Sequence, residues 1–254
     1  MLGKRLVGVI TVKNGWAVQS FGFGRYLPLG RAEILADNLD RWGADEVLVL
    51  CIDRGAAGPD LALLRRMAAK GLSTPLIYGG GIRSVEDAVA VVASGADRIA
   101  VDALLRDDPG VVPGIEAALG AQAVIAALPL GVDGDALVSF DYRTRTRAPL
   151  AEATLALLRA GSVSEVLAMD HVNDGGAAFD ERIVELFPIP SVPLIVFGGL
   201  RDPDQIRRVL GRPSVRAAAI GNSLSYGENR IRQLKSKLGA LPIRAPSYLR
   251  WIDQ

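Results

Sequence analysis

Short apolar runs alternate along the chain with longer segments whose apolar residues recur every three or four positions. The runs fall at residues 6–12, 46–51, 75–78, 98–101, 122–127, 164–169, 193–197 and 215–220. Several are apolar without alternation, as parallel strands covered on both faces require. Helical periodicity occupies 31–42, 59–70, 84–94, 107–119, 150–160, 180–187, 202–211 and 227–238. Eight strand–helix pairs predict an α/β fold, the (β/α)8 barrel; a doubly wound open sheet is the alternative, because local patterns do not reveal closure. One segment breaks the alternation. Pro129 to Arg143 follows the fifth run, and its Asp133-Gly134 pair predicts a two-stranded flap over the strand C-termini.

Two of the runs end in glycine turns that lead straight into a helix: Tyr78-Gly79-Gly80-Gly81-Ile82-Arg83-Ser84 and Phe197-Gly198-Gly199-Leu200-Arg201-Asp202. Glycine lets the backbone approach an anion, and the N–H groups of a first helical turn point at it. Gly79 and Gly198 lie 119 positions apart, as do Glu46 and Glu165, within the similar stretches Gly43-Ala44-Asp45-Glu46 and Gly161-Ser162-Val163-Ser164-Glu165. The period is too long for a solenoid and predicts two similar half-barrels. No linker divides them, so residues 1–241 read as one barrel domain and 242–254 as a C-terminal arm carrying Tyr248 and Trp251. Twofold symmetry then predicts two anion sites across one barrel mouth: Gly80 and Gly81 with Asp102 and Ala103, and Gly198 and Gly199 with Asn222 and Ser223. A phosphorylated small molecule is the expected ligand. The Asp102 carboxylate weighs against the first site, which leaves the second as the stronger.

Composition narrows the classes. The chain has 254 residues, half of them hydrophobic, enough for one large core. A formal net charge of +1 without charged blocks gives no argument for nucleic acid or a membrane surface, and no apolar run reaches membrane-spanning length. The single cysteine, Cys51, precludes an internal disulfide and fits a reducing cytoplasm. One histidine and one cysteine offer no zinc set, and no cofactor motif is present. That histidine, His171, stands between Asp170 and Asp174 at the end of the sixth strand, a place where barrels of this kind carry catalytic groups, although a polar loop residue without catalytic duty is the simpler reading.

Taken in order, Lys4-Arg5 with Lys13-Asn14-Gly15, Asp45-Glu46, Gly79-Gly80-Gly81-Ile82, Gly95-Ala96-Asp97-Arg98, Gln122-Ala123-Val124 and Gly198-Gly199 resemble the cyclase subunit of imidazole glycerol phosphate synthase, of histidine biosynthesis. The resemblance covers nearly all of the chain except the tail. It implies a ribulose-phosphate-binding type of barrel that receives ammonia from a glutaminase subunit at its N-terminal face. At the opposite face such a barrel uses the ammonia to cleave and cyclise a bis-phosphate ribonucleotide. The family's two catalytic aspartates correspond to Thr11 and Pro129, neither able to carry a proton near neutral pH. Its Asp-Arg-Asp-Gly phosphate loop appears as Val172-Asn173-Asp174-Gly175.

The other end of the barrel keeps its pattern. The family gates the floor with four charged residues, here Arg5, Glu46, Arg98 (a lysine in most relatives) and Glu165, and Asp97 matches a contact with the glutaminase. Alternating signs at the starts of four strands predict a salt-bridged ring. A gate without the aspartates resembles the branch of the family found in surface-polysaccharide gene clusters. Such barrels pair with a glutaminase and pass ammonia to an ATP-dependent sugar amidotransferase that forms an acetamidino group. The expectation is therefore conduction of ammonia without cyclisation. The alternatives are a genuine cyclase with acid–base groups relocated to Asp133 or His171, and a phosphosugar isomerase-type barrel. The stretch Gln19 to Tyr26, expected as a loop after the first strand, brings aromatic residues that would cap a ligand or partner, or pack on the loop itself.

Overall fold

The computed structural model describes residues 3–239 and 241–244; Tyr248 and Trp251 of the expected arm lie outside the described residues. The strands, in chain order, are β1 (Arg5–Lys13), β2 (Trp16–Phe21), β3 (Arg25–Gly30), β4 (Glu46–Cys51), β5 (Leu76–Gly79), β6 (Arg98–Val101), β7 (Val124–Asp133), β8 (Ala136–Asp141), β9 (Thr146–Ala148), β10 (Glu165–Asp170), β11 (Leu194–Phe197) and β12 (Val215–Ile220). Eight of them, β1, β4, β5, β6, β7, β10, β11 and β12, pair in parallel in that order. The last pairs with the first, from Arg5 beside Ala217 to Gly8 beside Ile220, which closes the barrel and excludes the open sheet.

The helices are α1 (Ala32–Arg41), α2 (Leu61–Ala68), α3 (Val85–Ala93), α4 (Ala103–Asp107), α5 (Val112–Leu119), α6 (Glu152–Ala160), α7 (Arg182–Glu185), α8 (Pro203–Gly211) and α9 (Arg230–Lys237). Their buried faces follow the helical period: Ala32, Ala36 and Leu39 on α1, and Ile206, Val209 and Leu210 on α8. Side-chain caps fix three of the starts, with Asp60 accepting from Leu63 N, Ser84 Oγ from Asp87 N and Asp202 from Gln205 N. Two expected helices are shorter than their periodic segments. Pro109 stands between α4 and α5, whose first turn holds Pro113, and Pro188 and Pro190 follow so closely on α7 that it keeps one turn.

The strands' alternation sorts the core into two shells. Residues such as Leu6, Ile10, Val47 and Val49 face the helices, while Val7, Val9, Leu48, Leu50, Ile125 and Ala127 face the barrel axis. Two antiparallel hairpins rise from the C-terminal rim. The expected flap is there, β8 returning along β7 with Gly134 and Asp135 at its tip; Gly134 has φ +59°, the conformation that the first tip position of such a turn demands. The second was not expected: Gln19 to Tyr26, read as a loop, lies in the hairpin of β2 and β3. Asn14 and Gly15, with φ +50° and +76°, make the two-residue turn from β1 into β2, and that Asn-Gly pair was the signal available in the sequence. At the floor, Lys4 N donates to Pro242 O at 2.8 Å and Lys4 forms a parallel bridge with Ile243, so the described start of the arm lies beside β1. No helix among the described residues is long and apolar enough to cross a membrane.

Candidate functional site

At the floor, Arg5, Glu46, Arg98 and Glu165 are each the first residue of their strand, β1, β4, β6 and β10. Strand pairing alone brings them together across the axis. Arg5 pairs with Glu46 at 3.0 Å and with Glu165; Arg98 pairs with Glu46 at 3.2 Å and Glu165 at 2.7 Å. The ring is neutral, and its side chains are at most 14% exposed. Removing one member of such a buried set costs about 3–5 kcal/mol, because it strands the partner's charge. Arg98 is further held by the Gln122 carbonyl at 3.1 Å and by Ser164 Oγ at 2.7 Å. Burial lifts the Glu46 carboxyl above its ordinary range despite both guanidiniums, and its Oε2 is buried with no hydrogen-bond partner. Asp97 is exposed beside the ring, with Oδ2 accepting from Leu76 N at 2.8 Å.

Above the ring stands the apolar axial column, and on top of it the mouth. Thr11 and Pro129 continue the inward-facing positions of β1 and β7 by alternation, and both are buried. A cavity of about 250 Å³ opens on the column at Leu50, Ala100, Ala127 and Met169. Gly79, Gly80, Gly81, Asp102 and Ala103 line it, as do Arg54, Arg83, Arg106 and Arg143. Asp102 is paired with Arg106 at 2.7 Å, yet burial still raises its carboxyl above the usual range. Gly81 has φ +72°, and a Cβ there would lie 2.5 Å from Gly58, so the chain at 54–59 sits directly on the glycine turn.

A second cavity, of about 160 Å³, touches Thr11, Phe197, Asp174, Gly221 and Asn222 and runs to Leu35 and Leu39 of α1. Among the described residues no lysine or arginine lines it. Here the chain fills its own polar positions. Asn222 exchanges two bonds with the Ser20 backbone, at 3.1 and 2.6 Å, and Asp174 Oδ2 accepts from Ser20 Oγ at 2.6 Å and Phe23 N at 3.2 Å. Burial raises the Asp174 carboxyl above its ordinary range. Gly175 lies so close beneath β2 that a Cβ would reach Asn222 Nδ2 at 2.7 Å and clash with the Ser20 carbonyl. Ser223 Oγ donates to the Leu200 carbonyl at 3.4 Å. Sequence alone favoured this half for an anion; the side chains around the two cavities weigh the other way.

The halves also align differently from the sequence period. A Cβ on Gly80 would clash with the Cys51 carbonyl and one on Gly198 would lie 2.5 Å from the Asp170 carbonyl, while Gly81 meets Gly58 and Gly199 meets Ala177 and Phe179. Gly80 and Gly81 are thus the counterparts of Gly198 and Gly199, one residue off the 119-residue register.

Four rings roof the mouth. Phe23, at φ +50° in the turn between β2 and β3, packs on the axial column and lies 5.1 Å from Tyr142; Tyr142 meets Phe140 at 5.5 Å, and Phe140 stacks on His171 at 4.1 Å. The Tyr142 hydroxyl is buried without a partner. His171 lies under the flap, lining neither cavity, and burial, with Arg147 nearby, lowers its pKa and keeps the ring neutral. Asp133, at the flap tip, lines neither cavity either. Cys51 lines the first cavity, but burial pushes its thiol up to about 12, so it is no nucleophile. Sequence reasoning missed Arg54, Arg83 and Tyr142, and reached Phe23 only as one of the aromatics of the Gln19–Tyr26 stretch. Arg83 directly follows the glycine turn and was legible there, whereas Phe23 and Tyr142 are brought together only by the hairpins.

A family model described as "Histidine biosynthesis protein" matches residues 5–230. The imidazole glycerol phosphate synthase subunit HisF of Solibacter usitatus is 30% identical over 259 residues, spanning 96% of this chain and 99% of the relative. The subunits of the same name from Metallosphaera sedula and Acidobacterium capsulatum are each 29% identical, over 243 residues (94% of this chain, 96% of the relative) and 255 residues (97% and 100%). With the closed barrel, the paired glycine turns and a match from the first strand to the start of the last helix, the chain belongs to the histidine biosynthesis protein family.

Proposed function

We propose that this chain is the ammonia-receiving barrel of a glutamine amidotransferase. A glutaminase subunit docks at the floor beside Asp97, and ammonia enters between Arg5, Glu46, Arg98 and Glu165. It leaves at the mouth for an acceptor held by a partner, an ATP-dependent enzyme that forms a sugar acetamidino group for a surface polysaccharide. The observation that carries the reading is the floor: a complete neutral ring under an apolar column, with a buried Glu46 Oε2 that has no donor of its own. A small donor passing the ring meets that acceptor, and the apolar column above favours the neutral molecule over ammonium. The mouth supports the same reading from the other side, because Thr11 and Pro129 offer no acid or base where the cyclase places its aspartates.

The test joins assembly to chemistry. Mixed with its cognate glutaminase, the barrel is expected to form a stable complex. Asp97→Asn keeps the acceptor for Leu76 N while removing the charge, and is expected to weaken the complex about tenfold, the scale of one charge-assisted contact. With ammonia and the bis-phosphate ribonucleotide, the barrel is expected to release no imidazole product; measurable turnover would sink the proposal. A second reading, a cyclase with relocated acid–base groups, is favoured by the upward shifts of Asp102 and Asp174. It requires that turnover and predicts its loss in Asp174→Asn.

A further inference from the structure

The barrel wall is open near the rim at the seam between β1 and β12. β1 pairs with β12 only as far as Gly8 beside Ile220. On that side its next pairing is with β2, starting at Thr11 beside Val18. Val9 and Ile10 therefore have no ladder partner there, whereas on the other side β4 accompanies β1 without a break from Val7 to Val12.

The second cavity occupies this opening. Its lining takes Val9 and Phe197 from the axial column and Ile10, Leu35, Leu39 and Trp42 from the shell under the helices, so it crosses the wall. Gly221, just past the end of β12, makes the room: a Cβ there would lie 3.2 Å from the Phe197 ring. Thr11, at the position that corresponds to the first catalytic aspartate of the cyclases, lines this cavity and not the one at the glycine turn. Asp174 and Asn222 are engaged with the hairpin, and what remains between them and the helices is a mainly apolar passage. At its outer end Leu29 is exposed, as are Leu27 on the same strand, Ile34 on α1 and Tyr226 in the turn after β12. Exposed apolar residues grouped in this way mark a contact surface.

We infer that ammonia leaves the axial column sideways, through the opening between β1 and β12, and that the acceptor enzyme seats its inlet on the flank formed by Leu27, Leu29, Ile34 and Tyr226. The inference rests on the ammonia-receiving reading and adds to it the exit and the docking face. Apolar walls favour neutral ammonia over ammonium, whereas four arginines give the other cavity a charged wall. Ammonia released into water is protonated and lost to the acceptor, so the enzyme that uses it has to cover the outer end.

Xenon is the probe of the passage, since apolar cavities of roughly 150 Å³ take it and this one measures about 160 Å³. Xenon NMR titration of the free barrel is expected to show saturable binding that is lost in Asn38→Phe, which sends a ring into the cavity from a half-buried position on α1. Glutaminase, barrel and acceptor enzyme are then assayed together for product formed per glutamine hydrolysed. Asn38→Phe is expected to lower that ratio about tenfold by closing the passage, and Leu27→Asp about fivefold by burying a charge in the contact. Product from added ammonium salt is expected to stay unchanged in both. Ile52→Trp, which enlarges a side chain lining the other cavity, is expected to leave the ratio as it is. Far-UV circular dichroism checks that Asn38→Phe folds; if it does not, Ser225→Phe, from an exposed position on the same lining, carries the same expectation. Absence of xenon binding, a ratio indifferent to the plug or to Leu27→Asp, or a fall confined to Ile52→Trp would each overturn the inference. A barrel that binds no glutaminase fails the underlying reading, whereas a coupled complex indifferent to the plug fails the side exit alone, so the two failures are distinguishable.

Discussion

Asp174 shows what one side chain costs and returns in this mouth. Its carboxylate gathers Ser20 Oγ and Phe23 N and so holds the first hairpin down, yet burial raises its pKa. A carboxyl whose folded pKa lies above its unfolded value adds stability that is full below the unfolded pKa and is lost as pH rises through the folded one. At neutral pH the ionised group is therefore a liability. An asparagine keeps an acceptor for both donors without the charge. Asp174→Asn is accordingly expected to be neutral or stabilising, by up to about 1 kcal/mol, at pH 7, and to lose that advantage as the pH falls toward the ordinary carboxylate range and the wild-type carboxyl protonates. Urea midpoints of both proteins across that range check it. A variant less stable at every pH would show that the Ser20 hydroxyl and the Phe23 N–H need a full negative charge.

Among the elements, the hairpins depart furthest from what a bare barrel needs. Each continues one of two barrel strands, β1 and β7, and they meet over the mouth through Phe23 and Tyr142. The first depends on a glycine that belongs to neither: Gly175 has φ +67°, and any side chain there runs into Ser20. Gly175→Ala is expected to lift β2 and β3 from the rim and to destabilise the fold by about 1–3 kcal/mol, through backbone strain and the lost Asn222 pair. Limited proteolysis between Trp16 and Gly30 should then appear, with the barrel fragment persisting. The barrel strands were legible because burial on both faces leaves unbroken apolar runs, and the flap because Asp133-Gly134 interrupts a plain alternation. The first hairpin showed only its Asn14-Gly15 turn, and its strands were hidden by composition. Ser20 is a buried polar residue whose partners, Asp174 and Asn222, lie more than 150 positions away, and no local pattern reports such pairs. The floor ring was legible for the opposite reason: strand starts are local, and closure does the rest.

For the molecule as a whole, the two half-barrels keep one backbone plan and divide the chemistry between floor, first half and second half. The floor draws Arg5 and Glu46 from one half, Arg98 from the same half and Glu165 from the other, so the ring exists only in the closed barrel. A chain ended before Val215 is expected to be recovered as insoluble material, since β1 and β11 would each present an unpaired edge; sedimentation of the expressed fragment tests this. The pairing of β12 with β1 also sets a schedule. The first strand leaves the ribosome some 200 residues ahead of its last neighbour, an interval of about 10–40 s at ordinary rates of synthesis. Throughout that interval one side of β1 has no mate. Its own hairpin, β2 and β3, follows at once and can shield only the rim end, from Thr11 to Lys13. The stretch left bare, Arg5 to Gly8, begins with the arginine of the ring, and a charge on an open edge discourages the wrong strand from joining it. The residue read here as a gate in the finished protein thus also guards the nascent one.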